Sequence, residues 1–425
     1  MSPFSRIFRL SAAFLGSNLA RAAIGFGLSL VLARGLGAER FGRWVLCTTC
    51  ASTLTVIADL GFGVLLTRDG ARFGTDGIQA WHEVFGALWL RLIVVIPLGA
   101  GLFVAASHFG GAEETVTGMR VGVLLGALGA VYGCFGAMFR SQPRWLPTVL
   151  GIETAWLGVQ LCCAWWLVRH GAGVGKLMAL AAAIQLTQLA SAAILWRPMF
   201  GAHGSVRVPY RTLTRLIRRA LPFAATGLVA NLESRIGPLM LGYLATPSAV
   251  GLFAAAARVG RVTRLVPQAV FAGALPVLSH DYSRDPEDAG HVFRTFSRMI
   301  LLFATLSAAA CILLAAPLLA LVYGAEFSSA APVLVWIGIG LIPSLSNSAR
   351  KIFLYAAGGE ARVVGWSTVA LLVQAGAAAV LIPAFGATGA AIGFTIGEAI
   401  IWLPLRRALP DRPDPALHFE RAASA

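Results

Sequence analysis

The stretch SAAFLGSNLARAAIGFGLSLVLA, from Ser11 to Ala33, sets the fold class of this sequence. It is longer than the roughly 20 residues that a helix needs to cross a bilayer, and its only charged residue is Arg21. Arg6 and Arg9 precede it, but no convincing cleavage site follows, so we interpret it as a first membrane span rather than a secretory signal. Similar apolar stretches recur along the whole chain, which predicts a bundle of membrane-spanning helices.

The composition agrees with a lipid environment. Apolar residues make up 57% of the 425 positions and charged residues only 12%, which is too little polar surface for a soluble globule. The six cysteines all fall within apolar stretches, where we expect them to behave as small hydrophobic residues rather than as a disulfide framework. Cys47 and Cys50 have the spacing of a redox or zinc pair, but no second pair or neighbouring His accompanies them, so no metal site is predicted.

The predicted fold class is all-α: a polytopic membrane protein of about 12 transmembrane helices in two six-helix lobes around a central cavity. The predicted spans lie near residues 11–33, 44–66, 84–106, 118–139, 147–168, 175–196, 221–244, 250–279, 299–322, 332–356, 363–383 and 389–405. Most of the 34 Lys and Arg fall in segments on the same side as both termini, which predicts that both ends are cytoplasmic. The segments predicted to be periplasmic hold Arg34, Arg40, Arg43, Arg120, Arg169 and Lys176.

A basic central segment divides the chain. We predict an N-terminal lobe over 1–200, a basic cytoplasmic linker over 201–220, a C-terminal lobe over 221–409 and a cytoplasmic tail over 410–425. The net charge of +15 has its largest cluster around this linker, and anionic lipid headgroups are a nearer partner for it than nucleic acid. Part of the cluster has the spacing of an interfacial helix, although it could serve only to fix the topology. The cluster comprises Arg197, Arg207, Arg211, Arg215, Arg218 and Arg219.

The two predicted lobes share a weak internal repeat. Leu30, Phe41 and Gly42 match Leu239, Val250 and Gly251 at one constant offset, at the end of a first span and the start of a second. Parallel repeats of this kind bring two lobes together about an axis along the membrane normal, with a substrate cavity between them.

Several segments resemble a known family. The stretches LARGLGAERFGRWVL (32–46) and ADLGFGVLLTRDGAR (58–72) look like the opening of the Wzx-type polysaccharide or O-antigen flippases. The second half adds three more similar segments, so that the ordered set covers nearly the whole chain. They are RALPFAATGLVANLESRIGPLMLGYLATPSAVGLFAAAARV (219–259), VYGAEFSSAAPVLVW (322–336) and IPAFGATGAAIG (382–393). One departure is Gly237, where similar proteins often carry an acidic residue.

The resemblance implies a flippase that moves an undecaprenyl-pyrophosphate-linked oligosaccharide from the cytoplasmic to the periplasmic face of a bacterial inner membrane by alternating access. It implies membership of the multidrug, oligosaccharidyl-lipid and polysaccharide exporter superfamily and no enzymatic activity. The implied partners are the lipid-linked oligosaccharide, membrane lipids, a polysaccharide polymerase and a chain-length regulator, and no nucleic acid. The sugar and the pathway (O-antigen, capsule or exopolysaccharide) stay open.

Charged residues at bilayer depth are the candidate site residues, because each is costly unless it faces water or a partner. Cations outnumber acids among them, and the surplus charge suits a pyrophosphate, which the planar guanidinium fork can bind through two bonds. Arg21 and Arg235 are the strongest candidates, since they occupy nearly corresponding places in the two lobes. Arg264, Arg350 and Lys351 lie near the cytoplasmic side, where they could instead snorkel or form structural pairs. The predicted substrate-binding set is Arg21, Arg91, Arg235, Arg258, Arg261, Arg264 and Arg350.

Four acids are candidates for coupling transport to a proton gradient, a sodium gradient or the membrane potential; no cofactor is expected. Asp59 precedes a glycine-rich helix end, where it could instead bond to backbone. Glu153 and Glu398 stand alone in apolar stretches, and Glu233 lies two residues before Arg235.

The sequence favours this function over three rivals. A membrane polymerase or ligase is disfavoured, because all seven histidines lie in loops or termini and no HExxH or GxSxG element occurs. A multidrug antiporter of the same superfamily should favour acids for binding organic cations. A peptidoglycan lipid-precursor flippase shares the basic cavity and remains the nearest alternative.

Overall fold

The computed structural model describes residues 3–73, 77–108, 113–200, 208–265, 267, 286–356 and 359–407, all helices and short connections. The end of predicted span eight, the start of the basic linker with Arg207, the side chain of Arg197 and the predicted tail lie outside this description. The chain divides into two compact units, Met1–Arg235 and Ile236–Ala425.

The first unit contains seven α-helices within the described ranges, followed in the second by seven more. They are α1 (Pro3–Asp59), α2 (Phe62–Phe73), α3 (Gly77–Ala105), α4 (Glu113–Arg140), α5 (Leu146–Arg169), α6 (Val174–Phe200) and α7 (Tyr210–Glu233). The second unit holds α8 (Ile236–Leu244), α9 (Pro247–Thr263), α10 (Pro286–Leu313), α11 (Ala315–Tyr323), α12 (Ala331–Ala356), α13 (Glu360–Phe385) and α14 (Ala387–Arg407). Short 3₁₀ turns occupy Ala106–His108 and Ala325–Ala330.

Nine segments of the described chain are long and apolar enough to cross a membrane, which confirms the polytopic all-helical fold class. The first, Gly16–Asp59, is 44 residues long, about 66 Å as a helix, or twice the roughly 30 Å hydrocarbon core. It contains a break at Gly37, whose φ of 73° suits glycine, and therefore holds predicted spans one and two. The others are Ile78–Ala105, Glu113–Arg140, Leu146–Arg169, Val174–Phe200, Phe293–Leu313, Ala325–Tyr355, Glu360–Phe385 and Ala387–Arg407.

The remaining predicted spans differ from single continuous helices. Predicted span seven, 221–244, is divided between α7 and α8 by a break at Ser234 and Arg235. Predicted span eight is described only as α9 and the few residues after it. Predicted span nine is interrupted at Leu314, between α10 and α11.

The first unit is built on α4, which contacts α1, α3 and α6, while α1 also packs along α5. α7 contacts α1, α2 and α3, so the boundary between the units lies after Arg235 rather than at residue 220. An aromatic cluster supports this packing: Trp196 lies edge-on to Phe135 at 5.8 Å between ring centroids, and Phe139 stacks on Phe200 at 6.2 Å. The arrangement of two lobes around a cavity stays a prediction.

The second unit depends on close helix packing through small residues. Gly389, Gly393 and Gly397 form a row along α14, and an added Cβ on Gly397 would lie 2.9 Å from the Ala370 carbonyl oxygen of α13. In lipid, helices associate mainly through van der Waals contact, and small residues at such a row let two backbones approach. α14 also packs on α12, which in turn contacts α10 and α9.

Candidate functional site

The first unit gathers two arginines around one buried carboxylate. Glu153 of α5 is only 6% exposed. Arg21 of α1 donates from Nη1 to Glu153 Oε2 at 2.7 Å, and Arg140 at the end of α4 donates to Oε1 at 3.2 Å. The Tyr132 hydroxyl donates to the same Oε1 at 2.8 Å. We call Arg21, Tyr132, Arg140 and Glu153 the Glu153 cluster.

The Glu153 cluster carries one more positive than negative charge. The side chains of Arg21 and Arg140 are 38% and 33% exposed, so each guanidinium is held on one edge and open on another. A carboxylate that fixes two guanidiniums without neutralising both leaves them oriented for a further anion. The arrangement can therefore bind a phosphate-like group at the open edges of the two guanidiniums.

Arg91 is enclosed and does not fit its predicted role. It is 1% exposed on α3, forms an ion pair with Asp59, and donates from Nη1 to the Ala130 carbonyl oxygen at 2.8 Å. Gly133 makes room for it, since an added Cβ there would lie 2.6 Å from Arg91 Nη1. We correct the prediction for this residue: Arg91 ties α1, α3 and α4 together and has no surface for a substrate.

Asp59 has a second structural contact. It ends α1, and Leu60 and Gly61 then turn with φ of 46° and 78° before α2 begins. The backbone N–H of Gly63 donates to the Asp59 carboxylate at 3.2 Å, which satisfies a donor in the first turn of α2. Asp59 thus bonds both to Arg91 and to the first turn of α2, which gives it a structural role in place of the predicted role in ion coupling.

Arg235 bonds to neutral groups alone within the described chain. It lies in the break between α7 and α8, partly buried, and Nε donates to the Ser52 hydroxyl of α1 at 3.2 Å. Nη1 donates to the backbone and side-chain oxygens of Asn231 at 2.9 and 3.1 Å. Because these hydroxyl and amide oxygens are uncharged, they position the guanidinium without neutralising it, and its positive charge can still attract an anion. Arg235 packs with the first unit, whereas we expected it in the second lobe.

The second unit holds a carboxylate bonded by neutral donors. Glu398 of α14 is 6% exposed, and it accepts from the Ser344 hydroxyl at 2.8 Å and the Asn347 amide at 2.9 Å, both from α12. Arg350 donates to the Asn347 side-chain oxygen at 3.5 Å and to the Trp402 carbonyl at 3.2 Å, with its guanidinium over the Trp402 ring. Arg350 therefore orients the amide that faces Glu398.

The other predicted residues are dispersed along the helices. Arg258 is partly buried and Arg261 exposed on α9, and Arg264 follows that helix with its guanidinium 5.3 Å from the Phe394 ring centroid. Glu233 is partly buried at the end of α7. A ladder of these three arginines for a moving anion stays a prediction.

Half of the basic cluster on α7 is used in internal ion pairs. Arg215 donates to the buried Glu83 of α3 at 2.9 Å, and Arg219 bonds to the buried Asp69 of α2 at 2.5 Å. One helical turn separates these arginines, so they share the face of α7 that packs on the first unit. Only Arg211 and Arg218 stay exposed without such a pair, which corrects the prediction of a helix lying freely on the leaflet.

Comparison with solved structures shows which proteins share this fold. A multidrug resistance MATE family transporter of the MOP superfamily, inward-facing, matches with a TM-score of 0.71 at 14% identity, over 92% of this chain and 96% of that one. The lipid II flippase MurJ, inward closed, matches with 0.71 at 12% identity, over 95% and 87%. A MOP superfamily transporter from Pyrococcus furiosus matches with 0.58 at 14% identity, over 95% and 94%. The chain therefore shares the all-helical, multi-pass membrane fold of these three proteins.

The family follows from the sequence itself. A profile of the family described as "Polysaccharide biosynthesis protein" matches residues 9–280, and the chain belongs to that family. This confirms the predicted Wzx-type resemblance. A search of curated proteins found no match.

Proposed function

We propose that the protein is a flippase for a lipid-linked oligosaccharide and that its cargo carries a pyrophosphate between lipid and sugar. The observation that carries the proposal is the unneutralised guanidinium charge of the first unit: Arg21 and Arg140 share one carboxylate, and among the described residues Arg235 bonds only to neutral groups. Family membership in polysaccharide biosynthesis supports a sugar-bearing cargo. The cargo moves from the cytoplasmic to the periplasmic face by alternating access.

The positive charge of these arginines explains why we expect the cargo to bind here. A pyrophosphate offers several acceptor oxygens, and guanidinium groups bind them through paired, charge-assisted hydrogen bonds. An organic cation would meet positive charge at the Glu153 cluster and at Arg235, which disfavours a multidrug substrate. Outward movement of an anionic headgroup is assisted by an interior-negative potential, worth about 2.3 kcal/mol per charge per 100 mV.

Glu398 is our candidate for coupling to a proton or sodium gradient. Asp59 and Glu153 are each bonded to arginine, so their charge is already compensated. Glu398 is buried among neutral donors, and binding a cation would neutralise it. It lies on α14 of the second unit.

The test is flipping of a fluorescent lipid-linked oligosaccharide in proteoliposomes. We expect Arg235→Gln to lower the rate by about tenfold, because truncating a charged contact costs more than about 1.4 kcal/mol. Arg211→Gln, an exposed arginine with the same charge change, is the control and should keep the rate within about twofold.

A full rate for Arg235→Gln, with no loss in Arg21→Gln either, would remove the proposed anion site. Replacing the cargo with lipid II tests the alternative of a peptidoglycan-precursor flippase. Faster flipping of lipid II than of lipid-linked oligosaccharides would favour that alternative.

A further inference from the structure

Two donors share one oxygen atom of the Glu153 cluster. Glu153 Oε1 accepts from the Tyr132 hydroxyl at 2.8 Å and from Arg140 Nη1 at 3.2 Å. Oε2 accepts from Arg21 at 2.7 Å, and no other described residue bonds to it. A hydrogen bond of 3.2 Å to a shared acceptor is weaker than one of 2.7 Å to an unshared one. Arg140 is therefore the less firmly held of the two guanidiniums.

The spacing along α4 brings both donors to the same carboxylate. Tyr132, Gly136 and Arg140 follow one another at intervals of four residues, so they lie along one face of the helix. An added Cβ on Gly136 would lie 3.2 Å from Arg140 Nη1 and 3.3 Å from Tyr132 Cε1, so this glycine leaves the space in which the two side chains meet. Glu153 comes to this face from α5.

Arg140 can turn away from Glu153 more easily than Tyr132 can. It is the last residue of α4, its side chain is about one-third exposed, and its described bond uses Nη1 alone. Its Nε and Nη2 groups keep donors for a ligand. Tyr132 lies two turns earlier, and its ring packs against the hydrophobic core of the first unit. The hydroxyl therefore stays beside Glu153 when the guanidinium moves.

Tyr132 lowers the cost of releasing Arg140. A buried carboxylate oxygen that loses its donor without replacement is strongly destabilised. When Arg140 turns to a ligand, Oε1 keeps the bond from Tyr132 and Oε2 keeps the bond from Arg21, so both oxygens of Glu153 stay satisfied. Arg21 still compensates the charge of Glu153, and the whole charge of Arg140 faces the ligand.

We propose that Tyr132 is a positioning residue that lets Arg140 exchange Glu153 for the pyrophosphate of the cargo, while Arg21 stays paired with Glu153. The inference rests on the proposed function, because it assigns different roles to the two arginines of the same anion site. Tyr132 acts through the carboxylate, and its hydroxyl does not touch the ligand.

A double-mutant cycle tests this role. Tyr132→Phe removes the hydroxyl and keeps the ring, and it is made both in the wild-type chain and in Arg140→Gln. Tyr210→Phe is the matched control, because Tyr210 is exposed at the start of α7 and its hydroxyl bonds to none of the described residues. Inorganic pyrophosphate is titrated calorimetrically against the full chain in detergent. The rise in melting temperature at millimolar pyrophosphate extends the measurement to weak binding.

We expect Tyr132→Phe to weaken pyrophosphate binding by about fivefold in the wild-type chain, since the release of Arg140 then leaves Oε1 without a donor. Arg140→Gln alone should weaken binding by about tenfold. In that background Tyr132→Phe should change the affinity by less than about twofold, because no guanidinium remains to be released. Tyr210→Phe should have no effect in either background.

Either of two results overturns the role of Tyr132. One is an unchanged affinity for Tyr132→Phe in the wild-type chain, and the other is an equal loss in both backgrounds, which a purely structural role would produce. Both leave the proposed function standing, because the wild-type chain still binds pyrophosphate. If the wild-type chain shows no binding and no rise in melting temperature, the proposed function itself fails.

Discussion

Replacing Glu153 by glutamine should make the protein less stable and yet a better binder of pyrophosphate. Glu153 is 6% exposed and receives bonds from Arg21 at 2.7 Å and Arg140 at 3.2 Å. Breaking a buried ion pair typically costs 3–5 kcal/mol, and since both arginines are about one-third exposed, we expect a loss of about 2 kcal/mol in unfolding free energy. The amide leaves two like charges facing each other.

The same change removes a negative charge from the anion site. At 4 Å, two unit charges interact by about 4 kcal/mol near a protein surface and about 1 kcal/mol in bulk water. Exposure of the arginines favours the lower value, so we expect Glu153→Gln to tighten inorganic pyrophosphate binding by about fivefold. The measurements are thermal unfolding in detergent and calorimetric titration at a temperature where both proteins stay folded.

Glu360→Gln is the matched control, because it makes the same change in net charge at an exposed position of the second unit. It should leave both quantities near wild-type values. If Glu153→Gln lowers the melting temperature and leaves pyrophosphate affinity unchanged, the two arginines serve only to neutralise the carboxylate. The anion-binding reasoning would then be refuted.

Three further predictions follow from contacts described above. Arg91→Gln should cost about 2 kcal/mol of stability, since the partly exposed Asp59 loses its cation and solvent screens part of the loss, and thermal unfolding will show whether it does. Glu398→Gln should abolish the response of flipping to an imposed ion gradient while pyrophosphate binding persists, and proteoliposomes with and without the gradient measure this. Gly397→Leu should strongly destabilise the second unit, because its Cβ would meet the Ala370 carbonyl, whereas Gly376→Leu, with open space around it, should not.

Most of the fold class could be predicted from the sequence, because apolar length and loop charge are local properties. Ten of the twelve predicted spans coincide with helices long enough to cross a membrane, counting two in the broken first helix. The breaks at Ser234–Arg235 and at Leu314 were missed, since neither carries a proline or glycine signal at the break itself. Hydropathy alone does not detect such interruptions, because the apolar sequence continues across them.

The site was predicted by residue type but not by partner. Arg21 and Glu153 were both singled out, one as a substrate ligand and one as a coupling acid, and the structure makes them a pair. Their separation of 132 residues leaves no spacing signal in a single sequence. Arg140 lies just beyond the predicted span 118–139, at the end of α4, and Tyr132 has no charge that would mark it in the sequence. Which ionisable residues pair across a long sequence separation is decided by how the helices pack.

The helix break at Ser234 and Arg235 falls where the chain passes from one compact unit to the next. Arg235 is the last residue of the first unit, and Ile236 begins the second. Asn231 of α7 and Ser52 of α1, both in the first unit, hold its guanidinium. A substitution at Arg235 therefore changes the charge of the first unit at the very residue where the helix is interrupted.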